Sequence, residues 1–336
     1  WIIGILIFFL LTILIVLYSS YYNPDYNSYK SIYKASKSLE FSQEFSAFTF
    51  LGIIINGISI LPSYVEFRLF TAIILLIGFS IFLNNIGLSI PKISFSTALG
   101  ILPFLLMKIH VQLREGISLT LWLLSLLNTR NRSRIKIPFL NIIFLIPSIL
   151  LHTSVASLWF SSFILSIQSI SIRIRRLFLI FTFSAIGLTT WNQFLETMFD
   201  FVGGYFSPGY ETIEVTNSKI LFWSVSFLIV IILYLHELRS NSIICSNNIS
   251  FASPIFIVGN IGYYGFLSFA TVSGIGFFIE LPTGSLFNLI FRLSLNFLMF
   301  ICLYRCVSWP KHPLTITLTF FVSLIVLRLL LFPSFS

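Results

Sequence analysis

Charge is what this sequence has least of. Only 9% of its 336 residues are Asp, Glu, Lys or Arg, far too few to cover a water-facing surface, which excludes an ordinary soluble domain. Cysteine is almost absent. Cys245, Cys302 and Cys306 offer neither a disulfide framework nor zinc-ligand spacing; Cys302 and Cys306 share a helix face and read as small packing residues. Also missing are a Walker A loop, a GxGxxG opening a helix, an HExxH pair and any haem spacing, so no cofactor and no metal is called. Paired discontinuous halves of the inverted-repeat transporter kind are not seen either. There is no internal repeat and no low-complexity linker.

What is present is apolar length. Hydrophobic residues make up 57% of the chain, in runs near the ~20 residues that cross a hydrocarbon core. The expected fold is therefore all-α: a polytopic membrane protein of about 10–11 spans, forming one integral membrane domain over residues 1–336. Candidate spans are Trp1–Ser19, Arg68–Asn85, Ile93–Ile109, Gly116–Leu127, Pro138–Leu151, Ser154–Ile172, Leu177–Trp191, Ile220–His236, Ala252–Thr271, Ser285–Tyr304 and Leu314–Leu331. Trp1–Tyr18 lacks a small-residue cleavage site after it and reads as a retained first helix.

The net charge of +9 is best explained by Lys and Arg held on the cytoplasmic side, not by nucleic-acid binding. Arg130, Arg132, Arg134 and Lys136 form one basic loop, and Arg173, Arg175 and Arg176 another. If both are cytoplasmic, the stretch between them crosses twice and turns at His152 on the far face, where Arg114 also falls. Extending the alternation puts Arg68 outside and keeps residues 20–67 as an outer loop. The apolar run Phe45–Leu61 then does not cross. Its Thr49, Asn56 and Ser59 suit an amphipathic helix lying in the interface. Onward, residues 192–218 form a large outer loop, while Arg239, Arg305 and Lys311 lie inside.

This topology brings scattered polar residues to one outer face: Asp25, Glu40, Glu44, Arg114, Glu115, His152, Glu196, Asp200, Glu211 and Glu214. Arg114 interrupts an apolar stretch. A guanidinium there is costly unless paired; it either grips a phosphate bidentately or snorkels to the headgroups. His152 is either a general base or a turn histidine bonded to backbone. Lys108 and His110 lend local positive charge. Asp25 follows Asn23–Pro24 in a turn and helix-start pattern, so it is an acid–base candidate or an N-cap. Lys30, Lys34 and Lys37 recur at helical spacing among Tyr26, Tyr29 and Tyr33, forming either a face for a lipid-linked phosphate or a solvated charged face.

With these residues in place, the sequence resembles the EpsG-type, Wzy-like polysaccharide polymerases (O-antigen polymerases among them) of bacterial envelopes. The likeness rests on PDYNSY (Asp25, Tyr26, Tyr29) followed by QEFSAFTFL at Glu44, on LREGISLTLWLLSL at Arg114, and on LHTSVASLWF with His152 and Ser154. Glu115 stands where the family has Gln. A fourth element is Arg292 in FNLIFRLSLNFLMF. The resemblance covers most of residues 1–160; beyond that it is largely hydropathy.

What the resemblance implies is a GT-C-like membrane glycosyltransferase in the bacterial inner membrane, with its site facing the periplasm or exterior. It would move a growing glycan from undecaprenyl diphosphate onto the next lipid-linked repeat unit. Asp25, Arg114, His152 and Glu44 would be catalytic, and Tyr29, Lys30, Lys34, Lys108 and Arg292 would bind substrate. Its partners would be the undecaprenyl-diphosphate-linked glycan, the lipid bilayer and a chain-length regulator. The alternatives are a flippase or transporter of lipid-linked oligosaccharide, a glycan ligase, or a non-catalytic membrane subunit. Aromatics and glycines in FVGGYFSPGY, within the large outer loop, are the expected source of specificity.

Overall fold

Every apolar run that lies wholly in the described residues folds as α-helix. The computed structural model describes residues 30, 33, 63–86, 107–108, 112–127, 139–152, 154–167, 169–189, 217–240, 253–279, 284–309 and 311–331, and among them all regular structure is helical. The helices are α1 (Tyr64–Asn85), α2 (Leu113–Leu127), α3 (Phe139–Leu151), α4 (Val155–Ser166), α5 (Ile172–Thr189), α6 (Asn217–Arg239), α7 (Pro254–Ile279), α8 (Gly284–Ser308) and α9 (Pro313–Leu331). The expected first span, the interfacial run Phe45–Leu61 and the large outer loop as far as residue 216 lie outside the described residues. So does the expected span Ile93–Ile109, apart from Met107 and Lys108.

Local chemistry explains where the helices begin and end. Ser63 caps α1 reciprocally: Glu66 N–H donates to Ser63 Oγ at 3.3 Å, and Ser63 N–H donates to Glu66 Oε2 at 3.1 Å. This capping box satisfies two orphan donors, and the helix starts four residues before the apolar run expected at Arg68. Pro254 and Pro313 open α7 and α9, where a missing N–H costs nothing. The expected span Ser154–Ile172 is broken. Here α4 stops at Ser166 and α5 starts at Ile172, and Arg175 Nη1 donates to the Leu165 carbonyl at 2.6 Å, satisfying an acceptor that a helix end otherwise leaves open.

Two compact units result: Trp1–Trp159 with Thr319–Ser336, and Phe160–Leu318. The sequence pattern marks no such division. In the first unit α1 packs on α2, and α2 on α3. Pro147 lies inside α3, where it cannot donate to the carbonyl one turn back. Beside it Ser118 Oγ of α2 donates to Ser148 O at 2.5 Å, and Trp159 Nε1 donates to Ser148 Oγ at 2.9 Å. In the second unit α7 packs on α5, α8 and α6. Gly265 permits the α7–α8 approach, since a Cβ there would stand 2.6 Å from the Phe297 ring. Phe297 also meets Phe183 of α5 edge-on, with centroids 4.9 Å apart.

Among the described residues two helical stretches, α1 and Pro254–Val272 of α7, are long and apolar enough to cross a membrane. The outward face of α1 is apolar too: Phe70, Ile73, Ile74, Ile77 and Ile81 are all exposed, Ile77 by 55%. On α5, Leu177, Phe178 and Phe181 are exposed likewise.

Candidate functional site

The first unit gathers its candidate residues through an aromatic and aliphatic cluster. Tyr33, Tyr64 and Phe67 pack with Leu113 and Leu151 in one buried core. Tyr33 lies 5.7 Å from both the Tyr64 and the Phe67 ring, and Tyr64 stacks on Phe67 at 6.1 Å. Tyr64 and Leu113 open α1 and α2, and Leu151 closes α3. The starts of two helices and the end of a third therefore meet at one end of the unit. Arg68, Arg114 and His152 each follow a cluster member directly in sequence, on the helix ends that this core joins.

Each has a defined setting. Arg68 is buried, with its guanidinium 6.0 Å from the Tyr64 ring centroid, a cation over an aromatic face. Arg114 is half-buried in the first turn of α2. His152 is half-buried just past α3, and its Nδ1 lies 2.6 Å from Ser154 Oγ. Its backbone continues the helix bond pattern, with His152 N–H donating to Ser148 O at 3.1 Å.

Lys108 is engaged by its own chain. Its ammonium pairs with Glu115 Oε2 at 2.8 Å and donates to Gln112 Oε1 at 2.5 Å, with the Lys108 and Glu115 side chains about nineteen-twentieths buried. Burial of a charge is tolerable only when it is paired in this way. Gly116 makes the approach possible, because a Cβ there would stand 2.8 Å from the Lys108 carbonyl oxygen.

Of the remaining candidates, Lys30 is half-buried in helical backbone one turn before Tyr33. Arg292 falls within α8, in the second unit. Asp25, Tyr29, Lys34 and Glu44 lie outside the described residues, as do Glu40, Glu196, Asp200, Glu211 and Glu214.

Sequence reasoning did not find a fully buried ion pair that the described residues hold. In the second unit Arg305 and Glu237, both with fully buried side chains, form an ion pair between α8 and α6. Tyr304 donates to Glu237 Oε2 at 3.2 Å, Arg305 Nε donates to Thr315 Oγ1 at 3.2 Å, and Arg305 Nη1 lies 3.3 Å from His236 Nδ1. His236 packs against His312 with centroids 4.3 Å apart, and edge-on against Trp309 at 5.4 Å. Burial chiefly, then the neighbouring His236 and Arg305, hold the His312 imidazole below its usual range, against a smaller opposing pull from Glu237.

The polar cluster continues along α7: Tyr263 lies between the Tyr234 and Tyr304 rings, Tyr234 and Tyr264 share a hydroxyl contact at 3.0 Å, and Arg176 donates to Asn260 Oδ1 at 3.2 Å. Reading Arg305 as the start of a loop hid this cluster, because α8 runs on to Ser308.

Among the described residues no group of three or more His, Cys, Asp or Glu side chains is arranged to hold a metal ion. Comparison with protein-family models, with curated proteins and with solved structures finds no match for this chain.

Proposed function

We propose that the chain is a multi-span membrane glycosyltransferase that polymerises lipid-linked oligosaccharide units into envelope polysaccharide. It would act at the outer side of a bacterial cytoplasmic membrane on glycans carried by undecaprenyl diphosphate. One observation carries the reading: the packing of Tyr33, Tyr64, Phe67, Leu113 and Leu151, which joins the helix ends that carry Arg68, Arg114 and His152. Placement in a bilayer is supported by the low charge and by the apolar outward faces of α1 and α5, which would be unfavourable in water and match lipid.

The chemistry asks for cations and a base. The acceptor sugar hydroxyl attacks the anomeric carbon of the donor glycan, the bond from that carbon to the diphosphate oxygen breaks, and the diphosphate leaves with the electron pair. Arg114 and Arg68 supply positive charge toward the departing diphosphate. The acceptor proton goes to a base. In the tautomer whose Nδ1–H donates to Ser154 Oγ, His152 Nε2 carries the lone pair that would receive it. Asp25 and Glu44 are the other candidates for orienting or deprotonating the acceptor. Lys108, held by Glu115 and Gln112, steadies the first turn of α2 that carries Arg114.

The test is glycan chain length in cells carrying stably inserted Arg114→Ala or Arg114→Lys protein. Arg114→Ala should lower polymer formation by about 100-fold, the usual loss when a transition-state charge partner is removed, and Arg114→Lys should restore it only in part. Normal long polymer from Arg114→Ala protein would overturn the reading. Purified protein supplied with lipid-linked units separates polymerase from flippase, since only the former lengthens the glycan.

A further inference from the structure

The turn from α8 to α9 holds buried hydrogen-bond donors that meet no acceptor. Three buried donor atoms sit within five residues of one another: Arg305 Nη2, Ser308 Oγ and Trp309 Nε1. None meets a hydrogen-bonding partner in the structure, and the Arg305 side chain is fully buried. Buried donors left without an acceptor are costly, most of all on a charged group.

The neighbouring side-chain acceptors of Glu237, His236 and His312 each have a partner. Glu237 gives one carboxylate oxygen to Arg305 Nη1 and the other to Tyr304. His236 Nδ1 faces a guanidinium that can only donate, and His312 Nδ1 accepts from Leu314 N–H at 3.3 Å. With Nδ1 accepting, the ring proton lies on Nε2, so these imidazoles add donors and no acceptor at that edge. No Asp or Glu follows Glu280 in the sequence, so the turn itself brings no acid.

The turn is also reachable. Ser308, Trp309 and His312 are half-exposed and Lys311 is exposed. Arg305 lies directly beneath, its guanidinium carbon 6.0 Å from the Trp309 ring centroid. At the same end of the unit, Arg239 just past His236 is exposed too. Donors without acceptors, one of them on a guanidinium and all close in sequence to the exposed Lys311, describe a seat for an oxyanion.

We propose that the α8–α9 turn binds a phosphate-class oxyanion. Arg305 Nη2, Ser308 Oγ and Trp309 Nε1 donate to its oxygens, and Lys311 supplies charge from the exposed side. The same chemistry belongs to an anionic lipid headgroup and to free inorganic phosphate. The proposal rests on the second unit alone and is independent of the glycosyl-transfer reading.

The experiment uses the full chain in neutral detergent or nanodiscs at constant ionic strength. Thermal unfolding and phosphorus NMR line width are followed against inorganic phosphate, and separately against vesicle lipid of phosphatidylglycerol or phosphatidylcholine. Stabilisation by phosphatidylglycerol over phosphatidylcholine, without a response to free phosphate, assigns a lipid headgroup; a response to free phosphate assigns the ion. In either case Trp309→Phe, which keeps the ring and removes the donor, and Lys311→Gln should each weaken binding, and together by about tenfold or more, the worth of one charge-assisted hydrogen bond. Arg305→Lys keeps a cation for Glu237 and should also lower affinity. If no probe binds, or if all bind equally well to the Trp309→Phe/Lys311→Gln protein, the proposal is overturned.

Discussion

Among the described residues each unit buries one cation–carboxylate pair, and the two pairs are built in opposite ways. Lys108 and Glu115 are near neighbours in the chain, share Gln112 as a third partner and keep slight solvent contact. Glu237 and Arg305 are 68 residues apart, join two helices and have no solvent contact at all. A local pair braces one helix start. A remote pair welds α6 to α8, and its desolvation is repaid only while Tyr304, Thr315 and His236 keep their places.

That difference can be broken experimentally, and the largest effect should come from the weld. Glu237→Gln strands the Arg305 charge and should cost ~3–5 kcal/mol in unfolding of the purified protein. The double variant Glu237→Met/Arg305→Met should lose much less than the two single losses combined. Additive losses would mean that the pair is not a unit.

A smaller effect is expected at the local pair. Gly116→Ala forces a Cβ toward the Lys108 carbonyl and should cost ~1–3 kcal/mol. Adding Glu115→Gln to that background should then cost less than it does alone, because the approach that brings Lys108 to Glu115 is already disturbed. Full additivity would separate the glycine from the pair. Smaller again is Trp159→Phe, which removes one hydrogen bond to Ser148 and should cost ~0.5–1.5 kcal/mol. A loss near that of Glu237→Gln would mean that polar contacts in the first unit bear as much as the weld.

The smallest effect is one of pH. His312 binds its proton less readily in the folded protein than its usual value of 6.5, so the unfolded chain takes up more protons below that pH. The stability contribution is complete above about 6.5 and is lost as pH falls through the lowered folded value. Unfolding measured across that window should show the acid-side loss, and His312→Gln should flatten it. A loss of the same size in His312→Gln protein would assign the acid sensitivity elsewhere.

Much of the helical layout was legible before any coordinates. The ends of α1, α2, α3 and α9 fall where the apolar runs end. Starts were harder to read. Ser63 and Glu66 pull α1 back over polar residues that hydropathy discards, and Leu113–Glu115 does the same for α2. The break between Ser166 and Ile172 was invisible, since the run reads as nearly continuous and its end is marked by a side chain from Arg175.

The candidate site divides in the same way. Arg114, His152 and Lys108 stood out because each interrupts apolar sequence. Their partners Ser154, Gln112 and Glu115 lie within seven residues, and local spacing makes such pairs readable.

What the sequence determined by itself was an all-helical, charge-poor chain with apolar runs of spanning length and a few conspicuous cations. Composition and periodicity carry those properties without reference to distant residues. Only the tertiary structure decided which cations meet which partners. It buried Lys108 against Glu115, set the Arg68 guanidinium over the Tyr64 ring, and turned Arg305 from an apparent loop residue into the buried partner of Glu237. The physical reason is range: helix formation is settled within a turn or two, whereas the cost of burying a charge is met by whichever group the fold brings beside it.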